Sequence, residues 1–198
     1  MYVDLPLILA SASPRRKQLL TEAGFTFETR LPDENAEDAR QPNEPPETYV
    51  RRLALQKTKN VADKIEQGII LGGDTIVLCG DNILEKPVDR NDARKMLRQL
   101  RGQIHCVLSG LCLIKKKIGT ETTIHHGTEV TRLAMKPIAE EMLEAYLNTE
   151  AWQGKAGAFG YQDGNDWITL LEGSESNVVG LPLKLFQKMY RTVIRQWN

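Results

Sequence analysis

The chain has 198 residues and a mass of 22.3 kDa, a length suited to one domain, elongated or built from two lobes. Hydrophobic residues make up 41% and charged residues 26%, which excludes a collagen, a long disordered tail and a membrane bundle. Lys plus Arg is 26 and Asp plus Glu is 26, with aromatics at 6%, so neither a duplex-binding surface nor a base-stacking platform is expected, and any anion site must be a local basic cluster.

In chain order, Leu5 to Ala10 reads as a buried strand. Ala10-Ser11-Ala12 imitates a signal-peptidase site, but Asp4 stands where a leader carries positive charge, and the apolar run is too short. A helix starts with Ser13 as N-cap and Pro14 at its first position, and stops at Gly24. Residues 32–48 are acidic, hold Pro32, Pro42, Pro45 and Pro46, and read as a loop. A helix follows from about Glu47 to Ile65, with Val50, Leu53, Ala54, Val61 and Ile65 as its apolar stripe. Ile69 to Leu71 is a short strand ending in Gly72-Gly73-Asp74-Thr75, and Gly80-Asp81-Asn82 marks a hairpin between Ile76–Cys79 and Ile83–Leu84. Asp89 to Leu100 is a helix. Ile104 to Ile114 and Thr122 to Met135 are long strands, Ile138 to Leu147 a helix, Trp167 to Leu171 a strand, and Leu183 to Ile194 a final helix. This alternation predicts an α/β protein with a central mixed sheet and flanking helices, with residues 1–198 forming one domain. No apolar stretch approaches the ~20 residues of a membrane helix.

Cys79, Cys106 and Cys112 have no metal-ligand spacing. Their odd number, without a leader, points to reduced thiols in the cytosol.

Four segments could carry chemistry. Ser11 to Arg16 leads a strand into a helix start with two arginines in the first turn, where the helix dipole disfavours cations. That pattern fits an external anion such as phosphate, or arginines turned to water. Lys57 lies on the apolar stripe of its helix, so it snorkels, pairs or serves a ligand. Asp74-Thr75 falls past a short strand, where an aspartate can hold a hard cation, act on a water, or cap its own turn. Lys155 to Gln162 is rich in glycine and small residues, and the Gln162 amide could read a base edge or close a tight turn. Lys86 says little alone, and His105, His125 and His126 fall in strands away from these motifs.

Together these segments resemble the Maf family of nucleoside triphosphate pyrophosphatases over nearly the whole chain. The resemblance rests on Leu9-Ala10-Ser11-Ala12-Ser13-Pro14-Arg15-Arg16, Arg52-Leu53-Ala54-x-x-Lys57 and Gly72-Gly73-Asp74-Thr75, where glycine replaces the alanine of a G-A-D-T segment. Glu85-Lys86-Pro87, Lys155-Ala156-Gly157-Ala158-Phe159-Gly160 and Val179-Gly180-Leu181-Pro182 follow in the family's order.

The resemblance implies an elongated Maf/ITPase-like fold with a cleft between two lobes. It also implies cleavage of the α–β phosphoanhydride of a nucleotide with a divalent metal, Mg²⁺ or Mn²⁺. Asp74 would accept the proton from water and, with Glu37 or alternatively Glu34, bind the metal. Ser11, Arg15, Arg16, Lys57 and Lys86 would contact phosphates. Arg15, Thr75 and Gln162 match the branch acting on dTTP and UTP, whereas the branch acting on 7-methyl-GTP tends to carry tryptophan in place of Arg15. Tyr161 stands where the family usually has isoleucine, and Asp163 follows Gln162, both bearing on base selectivity. The partner expected is a nucleotide, with no nucleic acid and no membrane, and homodimers are common in the family. A non-catalytic nucleotide sensor linked to cell division would instead bind nucleotide without releasing pyrophosphate. A phosphotransferase would pass the phosphoryl group to an alcohol.

Overall fold

A computed structural model describes residues 5–195. Its elements run β1 (Leu7–Leu9), α1 (Pro14–Glu22), β2 (Glu28–Thr29), α2 (Pro46–Ala62), β3 (Gly68–Cys79), β4 (Asn82–Leu84), α3 (Arg90–Leu100), β5 (Ile104–Lys116), β6 (Thr123–Met135), α4 (Glu140–Asn148), β7 (Ile168–Glu172), α5 (Glu175–Val179) and α6 (Leu183–Arg195). The seven strands among the described residues form one sheet in the order β2-β1-β3-β5-β6-β7, with β4 paired to β3. It is mixed: β1 runs parallel to β2 and β3, whereas β4 is antiparallel to β3 and β7 to β6. The α/β expectation holds. No helix among the described residues is long and apolar enough to cross a membrane.

The local rules explain most element ends. The Ser13 side chain caps α1 by accepting the Arg16 amide, and Asp89 caps α3 by accepting the Asp92 amide at 2.7 Å. Two elements escape sequence patterning. The two-residue β2 and the five-residue α5 are too short to show a period. A third differs in kind. Gly72-Gly73-Asp74-Thr75 is no turn past a strand end but the middle of the twelve-residue β3.

The chain falls into two compact units. The first holds the described residues of 1–74, 109–129 and 180–198, and the second holds 75–108 and 130–179. In the first, Ile8, Ala10, Ala54, Val61, Ala62, Ile70, Cys112 and Ile114 form a buried cluster where α2 meets β1, β3 and β5. The glycines make this contact possible. A Cβ on Gly72 would sit 2.1 Å from Thr58 Oγ1, and one on Gly110 would sit 2.4 Å from the Val50 carbonyl oxygen. Only bare backbone lets α2 lie so close to the sheet. Elsewhere in this unit Phe25 meets Phe186 edge-on, with ring centroids 4.9 Å apart.

In the second unit, α3, α4, Trp152, Phe159 and Trp167 enclose a core with Val77, Val107 and Leu133. Arg94 and Arg98 of α3 pair with Glu144 and Glu140 of α4. His105 is only 2% exposed and lies edge-on to Phe159. Burial pushes its imidazole down to about 4, against a weaker opposing effect of the Gln103 backbone.

This packing makes stability testable at two places. Gly72→Ala should cost about 2–3 kcal/mol in urea unfolding, because Thr58 and the α2 backbone must move. Gly73→Ala should cost less than Gly72→Ala, about 1 kcal/mol, since its Cβ meets the movable end of Leu111 at 3.0 Å and the Gly110 carbonyl oxygen at 3.2 Å, with no contact under 3.0 Å. Protonation of His105 favours the unfolded chain, so its contribution to stability is intact above the unfolded value of 6.5 and is lost as pH falls towards 4. Wild type should therefore lose about 2 kcal/mol between pH 7 and pH 5 that His105→Phe retains. Parallel stability–pH curves for the two proteins would refute this.

Candidate active site

The start of α1 is built around Arg16. Ser11, just past β1, accepts the Ser13 amide at 3.2 Å and Arg16 Nη1 at 3.2 Å through its hydroxyl oxygen. Arg16 Nε donates to the Gly180 carbonyl at 2.7 Å. The two arginines, alike in sequence, are therefore placed differently. Arg16 is buried and braces the segment entering α6, whereas Arg15 is partly exposed. Burial pushes the Arg16 guanidinium below its ordinary range, nearby Asp74 raises it, Arg15 lowers it and Glu37 raises it.

Asp74 and Glu37 meet at Lys57. The ammonium, on α2, lies 2.5 Å from Asp74 Oδ1 and 2.7 Å from Glu37 Oε1. The Lys57 and Asp74 side chains are 14% and 13% exposed. Lys57 therefore pairs rather than snorkels, and its carbon stem takes its place on the apolar stripe. Asp74 comes from β3 and Glu37 from the acidic loop, so strand, helix and loop converge on one cation. Glu37 makes this contact, although Glu34 and Glu37 are both exposed residues of the loop.

That loop is far from shapeless. Arg52, Gln56, Asn60 and Lys64 stand four residues apart along α2 and its end, a polar row facing the loop. Asn60 accepts the Asp33 amide at 3.0 Å, Lys64 pairs with Asp33, and Gln56 bonds Asp38. Arg52 grips Glu44 with two 2.8 Å bonds. Arg52 opens the motif that ends in Lys57, whereas Gln56, Asn60 and Lys64 do not stand out in the sequence, although the four-residue spacing is a readable signal.

The remaining candidates belong to the second unit. Lys86 is exposed just after β4, and Thr75 is half-buried in β3. Gln162 is exposed in the turn after a single 3-10 turn at Ala156–Ala158. Asp163, its neighbour, binds Lys155 Nζ at 2.6 Å and accepts the Tyr146 hydroxyl at 2.8 Å, while that hydroxyl oxygen accepts the Gly160 amide at 3.1 Å. This network pins the turn carrying Gln162. It also explains Gly160, whose Cβ would fall 2.2 Å from both Lys155 Nζ and Asp163 Oδ2.

The donor set suits a hard cation. Asp74 and Glu37 offer carboxylate oxygens converging on one point, where the positive charge of Lys57 sits. No group of three His, Cys, Asp or Glu forms a cage among the described residues. Two carboxylates match the way Mg²⁺ is commonly held, by one or two carboxylates together with waters and substrate phosphates.

Several curated relatives are similar to this chain over most of its length. The chain is 43% identical over 179 residues to a dTTP/UTP pyrophosphatase of Rhodopirellula baltica, covering 90% of this chain and 78% of that one. It is 39% identical over 190 residues to a dTTP/UTP pyrophosphatase of Koribacter versatilis, covering 96% and 95%. Identity to a dTTP/UTP pyrophosphatase of Vibrio parahaemolyticus is 38%, covering 92% and 94%. The family model for Maf-like protein matches residues 6–193. With the match running from β1 to α6, the chain belongs to the Maf family.

Proposed function

We propose that this protein is a cytosolic nucleoside triphosphate pyrophosphatase that hydrolyses UTP and dTTP to the monophosphate and pyrophosphate with Mg²⁺ or Mn²⁺. The observation that carries the reading is the convergence of Asp74 and Glu37 on Lys57 in a Maf-family chain. Relatives named dTTP/UTP pyrophosphatase at 38–43% identity support the substrate. The single match across residues 6–193 supports one functional domain. The three free cysteines, Cys79, Cys106 and Cys112, accord with a reducing compartment.

In this reading Asp74 and Glu37 would hold a divalent cation through carboxylate oxygens, and when bound it would supply charge neutralisation for the phosphates. Asp74 takes a proton from the attacking water as the water oxygen bonds to the α-phosphorus. The bond from that phosphorus to the α–β bridging oxygen breaks, and pyrophosphate leaves with the electron pair. Lys57 orients both carboxylates, and its positive charge faces the developing phosphate charge. Ser11, Arg15 and Arg16 supply donors and positive charge at the α1 start, where the helix end itself favours anions. Phosphate contact by Lys86, and pyrimidine selection by Arg15, Thr75 and Gln162, are assigned from the motif match.

The test is pyrophosphate release from dTTP, UTP, CTP, GTP, 7-methyl-GTP and ITP with Mg²⁺ or Mn²⁺, with Asp74→Asn as control. Release from UTP and dTTP is expected, with a loss of about 10³-fold in the folded Asp74→Asn protein. Near-normal turnover by that variant would sink the role of Asp74. Preference for 7-methyl-GTP would overturn the pyrimidine assignment, and binding without release would favour a nucleotide sensor.

A further inference from the structure

We infer that Arg52 is a positioning residue for the proposed reaction: its grip on the segment from Asp38 to Glu44 sets where the loop presents Glu37. The inference rests on Glu37 being a metal-side carboxylate of that reaction.

Every N–H of the Arg52 guanidinium finds an acceptor. Nε donates to Glu44 Oε1 at 2.8 Å and Nη2 to Glu44 Oε2 at 2.8 Å. Nη2 also donates to the Ala39 carbonyl at 3.0 Å. Nη1 donates to the Asp38 carbonyl at 3.2 Å and to Gln56 Oε1 at 3.2 Å. A guanidinium has five such donors in a fixed fork, and here all are spent on one loop and its helix.

The partner is unusual. Glu44 is only 7% exposed, in an otherwise acidic and exposed loop. Its carboxylate also accepts the Gln41 amide at 3.2 Å, and its carbonyl accepts Arg40 Nη2 at 2.7 Å. A buried carboxylate needs its cation, because removing one partner strands the other charge. Arg52 therefore fixes Glu44, and Glu44 fixes the loop's far end.

The two backbone carbonyls that Arg52 holds belong to the residues immediately after Glu37. On the near side, Asp33 is tied to Asn60 and Lys64. Glu37 reaches Lys57 from a backbone held on both flanks by the same helix that carries Lys57. Arg52 and Lys57, five residues apart on α2, thus set the anchor and the contact point of one device. A lysine at 52 offers a point charge and cannot make the fork.

The test uses wild type, Arg52→Gln, Arg52→Lys and Glu44→Gln. Three readouts separate positioning from plain stability: Mn²⁺ binding by paramagnetic resonance without nucleotide, amide exchange of residues 33–44, and UTP turnover against Mg²⁺ concentration. Arg52→Gln should weaken Mn²⁺ binding about tenfold or more and shift half-saturating Mg²⁺ by a similar factor, since lost support of a metal ligand commonly costs that much. Turnover at saturating metal should largely recover, loop amides should exchange faster, and β3 amides should keep their protection. Arg52→Lys should resemble Arg52→Gln rather than wild type. A looser loop with unchanged Mn²⁺ affinity would reduce Arg52 to a stabilising contact and overturn the inference, as would unchanged loop exchange. Should Arg52→Gln fail to fold, Arg52→Lys and Glu44→Gln carry the same test. If wild type releases no pyrophosphate, the functional reading fails, while Mn²⁺ binding and exchange still decide whether Arg52 governs the Glu37 site.

Discussion

Two carboxylates sharing one ammonium impose the main constraint on this molecule. Asp74 sits inside a strand and Glu37 in a loop, and both reach Lys57 on a helix. Without the cation, the sheltered Asp74 carboxylate would face the more exposed Glu37 carboxylate with no charge between them. Lys57 must therefore project from the helix face that packs on the sheet, and α2 must lie nearly in contact with β3 and β5. Gly72 and Gly110 provide that closeness by having no Cβ to collide with Thr58 or Val50. The packing of the first unit and the geometry of its candidate site thus share one cause.

The basic groups around this centre divide their work. Arg16 is buried, bound to Ser11 and to the Gly180 carbonyl, so its charge is fixed in place at the start of α1. Arg15 keeps more exposure at the helix end. A zero net charge is compatible with this arrangement, because the positive field is needed only where a polyphosphate would bind. Loop order depends on polar contacts rather than apolar burial. Arg52, Gln56, Asn60 and Lys64 hold an acidic, proline-containing segment that has almost no core of its own. In the second unit the Lys155–Asp163–Tyr146 network plays the same part for the turn at Gln162.

Much of this is legible in the amino-acid sequence alone. Ser13 announces its helix, because a cap is a local contact between a side chain and a nearby amide. Lys57 is noticeable as a charge on an apolar stripe. Other features depend on contacts distant in sequence. Gly72-Gly73 reads as the end of a short strand, since glycine signals both flexibility and close packing, and only the position of Thr58 decides between them. Arg15 and Arg16 look equivalent until Gly180, 164 residues further on, accepts one of them. Residues 32–48 carry no apolar period, so nothing local reveals that Glu44 is buried or that Glu37, rather than Glu34, reaches Lys57.

Lys57, Asp74 and Glu37 form one electrostatic unit, and a double-mutant cycle in urea unfolding at pH 7 measures the Lys57–Asp74 half of it. The proteins are wild type, Lys57→Gln, Asp74→Asn and the double variant. Lys57→Gln should destabilise, and adding Asp74→Asn should restore part of the loss by relieving two facing carboxylates, giving a coupling of about 1 kcal/mol or more. Changes that simply add, to within about 0.3 kcal/mol, would contradict the account.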